Sequence, residues 1–489
     1  MATTKAPRKP RKEPMSRVDT AWLRMERPTN PMMITGVMMF DEPMTIQRLR
    51  EVINKRFLAY PRFRQMAVDT SAGASWVDDQ NFDLELHVRI TALPGRSDRK
   101  SEKKSLERFV SQLASSPLDK SKPLWQFHLI EKYGGGSAVV ARIHHCYADG
   151  MALVQVILSM TDTTRKPVSS SSLRAAWLKE EGDKVERPIG PLGRYMKMGG
   201  KVLGKGMDMY RHPSLATVLA KEGGEIAREL LAAVALSDEP PTLLRGPLGV
   251  SKRVAWAEPL NLDDVKAVGR ACDCTVNDVL MAAAAGALRG YMLERGEILD
   301  GVTLRATVPV NLRPLEHSKK LGNHFGLVFL ELPVGEDNPI RRLERVAHCM
   351  NGLKNSRQAM VTYGLLAALG MAPAAVQGMA LDLFSRKATA VATNVPGPQQ
   401  PLYMGGCAMR EMMFWVPQTG SVGIGISILS YNNQVHFGLI SDAKLVPDPH
   451  AVIDRFGPEF EKLLYLSLMG DWNHCLDTAS AESLMHTSN

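Results

Sequence analysis

The stretch Arg142-Ile143-His144-His145-Cys146-Tyr147-Ala148-Asp149-Gly150 constrains this chain more than any other. An apolar run, Ala138 to Ala141, leads into it, and the mostly apolar segment Met151 to Met160 leads out. That pattern predicts a strand, a turn at Asp149-Gly150 and a buried helix. Successive side chains of a strand point to opposite faces, so two adjacent histidines at its end cannot share one task. One can face a cavity while the other faces packed structure.

The rest of the chain must supply what such a unit packs against. At 489 residues it is long for a single domain, and 45% hydrophobic residues are enough for a sizeable core. Residues 1–15 read as a disordered basic tail. Residues 16–165 mix helix and strand: Leu106, Phe109, Val110 and Leu113 repeat at helical spacing, and Trp125–Glu131 and Ala138–Ile143 read as strands joined at Gly134-Gly135-Gly136. Arg165-Lys166-Pro167 and the serine run after it open a connector over 166–250. A second mixed unit, 251–489, has helix caps at Asn261 and Thr275 and strands at 303–310, 325–332, 389–394 and 411–416. A hairpin turns at Tyr431-Asn432-Asn433, and a final helix starts near Pro449, with Pro458 expected to break or kink it.

Several function classes fall away. The start of the chain is basic and Pro-rich without an apolar core segment, so no secretory signal is expected. Six cysteines, of which only Cys272 and Cys274 lie close together, give neither a disulfide framework nor zinc spacing and fit a reducing cytoplasm. Of the net charge of +9, nearly half lies in the tail, where Lys5, Arg8, Lys9, Arg11 and Lys12 face only Glu13. Such a tail is attracted to anionic lipid, or is merely solvated; no nucleic-acid motif accompanies it. Residues 358–381 carry no charge, but Gly364, Gly370, Pro373 and Gln377 interrupt the run. A buried helix pair lining an apolar cavity is expected there rather than a membrane span.

For chemistry, His145 is the favoured general base and His144 its support. Imidazole, with an ordinary pKa of ~6.5, can take a proton from an alcohol near neutrality. The hydroxyl oxygen can then attack a thioester, whose thiol (pKa ~8.5) leaves far more readily than an alkoxide. No G-x-S-x-G elbow, Walker loop or G-x-G-x-x-G fingerprint competes. His144, His145 and Asp149 could in principle ligate a metal, but neighbouring strand side chains diverge, so no metal is expected. Asp149 either orients His145 directly or turns away to fix the loop. The second is favoured because the residue lies beyond the turn, with Arg313 as one partner to consider. Asn277 and Asp278 fall in the first turn of a helix, where a cap or a polar contact to the reaction centre is open to them.

The chain resembles the bacterial wax ester synthase/diacylglycerol acyltransferase family of the HHxxxDG CoA-dependent acyltransferases. The resemblance rests on an ordered set: Ser16-Arg17-Val18-Asp19, Pro123-Leu124-Trp125, His144-His145 with Asp149-Gly150, Asn277-Asp278, and Asn394-Val395-Pro396-Gly397-Pro398. It implies an α+β fold of two chloramphenicol-acetyltransferase-like domains with a channel at their interface. Acyl-CoA, as substrate and with no cofactor, would meet a long-chain fatty alcohol or diacylglycerol there without an acyl-enzyme intermediate. Gly150, Asp278, Asn394, Pro396 and Gly397 are expected along the channel, and Asn277 near the reaction centre. A cytoplasmic protein attached peripherally to membrane or lipid inclusions is implied. A carrier-dependent condensation enzyme and a non-enzymatic lipid-droplet protein are the competing readings.

Overall fold

The apolar run ahead of the histidines forms β7 (Gly136–His144), in which every residue is buried. The computed structural model describes residues 11–166, 236–312 and 321–470, apart from 72, 95–97, 370, 372–373 and 419, together with 478. A strand buried on both faces belongs inside a sheet covered on each side. Its neighbours are β2 (Met33–Phe40), with Met33 opposite His144, and β6 (Trp125–Tyr133), both antiparallel to it. Gly134 and Gly135, at φ 57° and 81°, make the turn between β6 and β7. The six-stranded sheet ends on one side with β5 (Val88–Ile90), parallel to β6. On the other side it ends with β14 (Cys407–Trp415) and β13 (Tyr403–Met404). A small sheet of β1 (Lys12–Pro14), β4 (Gly73–Asp78) and β3 (Gln65–Thr70) lies apart from it. Among the described residues the α-helices of this half are α1 (Arg17–Arg24), α2 (Ile46–Val52), α3 (Leu84–His87), α4 (Arg99–Ala114) and α5 (Gly150–Ser159).

The second sheet runs β11 (Phe325–Leu332), β10 (Leu304–Asn311), β12 (Ala390–Pro396), β15 (Ile424–Tyr431), β16 (Gln434–Asp442) and β8 (Lys252–Trp256), with β9 (Leu260–Asn261) also on β16. β12 lies parallel to both β10 and β15; the other pairs are antiparallel. Asn432 and Asn433, at φ 49° and 58°, form the two-residue turn between β15 and β16, a conformation Asn tolerates. Over this sheet lie α6 (Leu262–Ala271), α7 (Val276–Glu294), α8 (Pro339–Asn355) and α11 (His450–Met469). The Ala-rich α7 is buried nearly all round, as a helix without a polar face must be.

Three expectations need correcting. The strand near 411–416, assigned to the second unit, is β14 and pairs with β2 of the first sheet. Its Met413 and Trp415 pack with Val37 and Met39, and Val254, Trp256 and Ile440 of the other half join the same cluster. β14 therefore closes the open edge of β2 and welds the halves together. Of the break or kink expected at Pro458, the break is absent: α11 runs through it. Both Pro458 and Asp454, whose carbonyl loses its helical donor, are exposed, so water can supply the missing bond. The uncharged run 358–381 does form two helices, α9 (Gln358–Leu369) and α10 (Ala374–Ser385). Leu366 and Leu381 reach the core, but Met371 and Met379 are 57% and 74% exposed, and neither helix lines the cavity around His145. Among the described residues no single helix is long and apolar enough to cross a membrane. The serine run and most of the connector lie outside the described residues.

Candidate active site

At the end of β7 the two histidines are held from opposite sides. The His144 amide donates to Leu124 O at 3.0 Å, and the His145 amide to Met32 O at 2.7 Å. The side chains divide as strand geometry requires. His144 turns into the fold, its Nδ1 accepting from the Cys146 amide at 3.1 Å, and burial pushes its pKa down to about 3. His145 stacks on Trp22 of α1, with ring centroids 4.1 Å apart and planes at 20°, and has Phe325 at 5.7 Å. Burial pushes His145 down to about 4, with the nearby Asp149 carboxylate opposing, so the imidazole is neutral at pH 7.

Asp149 uses its carboxylate to build the loop. Oδ1 accepts from the Ala152 amide at 2.8 Å, capping α5, and Oδ2 accepts from the His324 amide at 3.0 Å, reaching into the other half. Arg313 lies outside the described residues. A second cross-link depends on Asn323. Its Nδ2 donates to both Asp19 Oδ1 and His145 O at 2.8 Å, and its amide donates to Asp19 Oδ1 at 3.1 Å. Burial holds the Asp19 carboxyl above the ordinary carboxylate range, against the hydrogen bonds from Ser16 and Asn323. Asp19 thus ties α1, and with it Trp22, to the backbone of His145.

His145 and Trp22 open onto a cavity of about 200 Å³ between the two halves. Asp149 and Gly150 border it from the first half; Thr307, Asn311, Phe325, Leu327, Thr393 and Asn394 border it from β10, β11 and β12. The Thr393 hydroxyl is buried there with no protein partner. Asn394 Nδ2 donates to Asn277 Oδ1 at 2.9 Å, so Asn277 stands behind the wall and orients a residue that forms it.

Asp278, Pro396 and Gly397, expected along the channel, do not border this cavity. Asp278 Oδ2 accepts from the Thr275 amide and hydroxyl at 2.8 and 2.6 Å, closing a capping box at the start of α7. The Gly397 amide donates to Ser430 O at 2.8 Å, and a Cβ at 397 would stand 2.5 Å from that oxygen, so the turn needs glycine to lie against β15. Trp125 is a core residue, fully buried, with Nε1 donating to Phe63 O at 2.7 Å. Sequence reasoning missed Trp22, Asn323 and Thr393. The one legible signal was Trp22 three residues after Asp19, which places both on one face of α1.

The fold and sequence have known relatives. The model of the wax ester synthase/diacylglycerol acyltransferase catalytic domain matches residues 15–280, and that of the family's C-terminal domain matches 321–464. A Mycobacterium tuberculosis protein named for diacylglycerol O-acyltransferase activity is 30% identical, covering 93% of this chain and 91% of its own. Among solved structures, the wax ester synthase/diacylglycerol acyltransferase of Marinobacter aquaeolei VT8 is similar with a TM-score of 0.64 at 23% identity, covering 93% of this chain and 99% of that one. The first condensation domain of the calcium-dependent antibiotic synthetase shares the fold with a TM-score of 0.57 at 16% identity, covering 93% of this chain and 96% of that one. The architecture is the two-domain CoA-dependent acyltransferase fold, and the chain belongs to the wax ester synthase/diacylglycerol acyltransferase family.

Proposed function

We propose that this acyltransferase moves a long-chain acyl group from acyl-CoA to a fatty alcohol, giving a wax ester, or to diacylglycerol, giving triacylglycerol. The observation that carries the reading is His145: a neutral imidazole, stacked under Trp22, at the edge of a cavity formed by both halves. Its Nδ1 is shut away from solvent, which leaves Nε2 to receive a proton. The acceptor hydroxyl gives its proton to Nε2 as its oxygen bonds to the thioester carbon. The tetrahedral intermediate then expels CoA thiolate, which recovers the proton from the imidazolium.

Asp149 neither takes part in proton transfer nor contacts the acceptor in this reading; it holds the loop. Thr393 offers the donor that the developing oxyanion needs, because its hydroxyl is already desolvated and uncommitted. No cofactor and no acyl-enzyme intermediate are called for, since direct attack of the hydroxyl oxygen on the thioester needs neither. The imidazole contributes about 10²–10⁴-fold as base, and alignment in the cavity supplies the rest. The substrates are lipids, so the protein is placed at the cytoplasmic face of a membrane or on lipid inclusions. Vesicle co-flotation checks that placement, and recovery of all protein in the lipid-free fraction counts against it.

The test is CoA thiol release from palmitoyl-CoA with hexadecanol and with diacylglycerol in parallel, the esters being identified by thin-layer chromatography. His145→Ala should lose at least a hundredfold in kcat. Unchanged ester formation by that variant would exclude the histidine as base.

A further inference from the structure

Burial keeps the His145 ring neutral at rest, yet taking the acceptor's proton turns it into an imidazolium. That new charge forms in a desolvated site and needs an electrostatic partner. Among the described residues no carboxylate is hydrogen-bonded to the His145 ring. Asp149 acts on it through space, its oxygens being on the Ala152 and His324 amides. Asp19, on α1, accepts from Asn323, and the His324 ring lies 3.4 Å from the Tyr363 hydroxyl. His144, next in the chain, opposes a positive charge.

What touches the His145 ring is an aromatic face. The Trp22 indole covers it at 4.1 Å with planes 20° apart, and Phe325 leans on both, 5.6 Å from Trp22 and 5.7 Å from His145. Packing alone does not explain an indole at this position. Its Nε1 is buried without a hydrogen-bond partner, a cost that phenylalanine would avoid. The indole's advantage over phenylalanine is the stronger negative potential above its ring, which attracts a cation and gives much less to a neutral imidazole. Its placement is also fixed. Trp22 stands one turn of α1 beyond Asp19, and the Asn323 side chain that binds Asp19 also binds the His145 carbonyl. One side chain thus clamps both rings in register.

We propose that Trp22 is a positioning residue that also stabilises the protonated form of His145 through the π face of its indole. The contact strengthens as the proton passes from the acceptor hydroxyl to Nε2, and it weakens again when CoA thiolate recovers that proton. An interaction gained mainly in the transition state raises kcat and leaves KM nearly alone. The inference rests on His145 acting as the base.

The experiment reads kcat and KM for CoA release from palmitoyl-CoA with hexadecanol in wild type, Trp22→Phe and Trp22→Leu, with thermal unfolding of each. It adds proteins in which Trp22, alone of the seven tryptophans, is replaced by mono-, di- or tetrafluorotryptophan through its own recoded codon. Fluorine drains the face of the ring and leaves its shape nearly unchanged. A desolvated cation–π contact corresponds to about thirtyfold, so Trp22→Leu should lose about that much in kcat and Trp22→Phe should recover part of it. Log kcat should fall with each added fluorine while KM stays nearly constant. A purely structural role predicts wild-type kcat throughout the fluorinated series, and that flat result in folded protein would overturn the assignment. The series decides the matter even where Trp22→Leu does not fold. His145→Ala keeps two failures apart. If that variant still forms ester, the base reading falls and the proposal with it; if it is inactive beside a flat fluorine series, the role of the indole alone is refuted.

Discussion

Asn323 is the residue whose loss should show how the His145 geometry is maintained. Its Oδ1 is buried without a partner, so truncation to alanine removes just the two bonds donated by Nδ2. One goes to a buried carboxylate, worth about 1.5–3 kcal/mol, and the other leaves the His145 carbonyl unsatisfied at about 1–3 kcal/mol. The backbone bond from residue 323 to Asp19 can survive, so Asn323→Ala should cost roughly 3–5 kcal/mol. Stability alone would not reveal a positioning role, but kinetics would. The cavity walls on β10 and β12 are untouched, so KM should change little. His145, freed on its carbonyl side, should drift, and a misplacement of 1 Å costs about 10²-fold in rate. Asn323→Asp gives a sharper contrast, because it keeps the shape but presents a second carboxylate to Asp19 and to a carbonyl. It should be less stable than the alanine variant and no more active. Steady-state CoA release and thermal unfolding of the three proteins measure this. Full kcat in Asn323→Ala, or wild-type Tm in Asn323→Asp, would show that the latch does not position the histidine.

Thr393→Val should lower kcat by about 10²-fold with little change in KM, and Thr393→Ser should recover most of the loss; equal activity in the valine variant removes the hydroxyl from the mechanism. Burial pushes His128, His145 and His436 down to about 4 and His144 to about 3, against 6.5 for the free group. The unfolded chain therefore binds protons first as pH falls. Stability is intact above pH 6.5 and is lost between 6.5 and 4 for three of them and down to about 3 for His144, on the order of 3 kcal/mol for each group. His450, raised by its hydrogen bond to Glu107, acts in the opposite sense. Circular dichroism should place acid unfolding inside that window, and a native far-UV spectrum persisting at pH 3 would contradict the burial of these rings. Lys252 is buried and donates to Asp442 Oδ2 at 3.0 Å and to Asn30 Oδ1 at 3.1 Å, joining the two halves. Lys252→Met leaves Asp442 uncompensated and should cost about 3–5 kcal/mol, read as a lowered Tm that a charge-free pair, Lys252→Met with Asp442→Leu, partly restores.

Local features were legible in the sequence because their causes are local. The strand-turn-helix around His145 follows from periodicity and one Asp-Gly pair, and the division between His144 and His145 follows from the alternation of a strand. The caps at Asn261 and Thr275 and the two-asparagine hairpin depend only on residues within a few positions. What could not be read depends on pairings across hundreds of positions. The alternating apolar residues of β14 fit any open edge, and nothing in them says that the edge belongs to β2. Asn323 stands 304 positions from Asp19 and 178 from His145, without a motif to mark it.

The motif residues sort themselves by the same logic. Asp278 and Gly397 carry family signatures, yet each answers to its immediate surroundings, a helix start that needs a cap and a crowded turn. Asp149 does both: its Oδ1 caps its own helix, while its Oδ2 holds the His324 amide of the opposite half. The loop that presents His145 is therefore braced by the domain that supplies the far wall of the cavity. Asn323, next in sequence to His324, grips the His145 carbonyl from the same side. A histidine fixed in this way acquires its geometry only when the halves are docked, because two of the bonds that orient its loop come from residues 323 and 324. His145 is thus encoded locally but positioned globally, and mutations along the 321–325 segment should disturb activity as strongly as mutations beside the histidine itself.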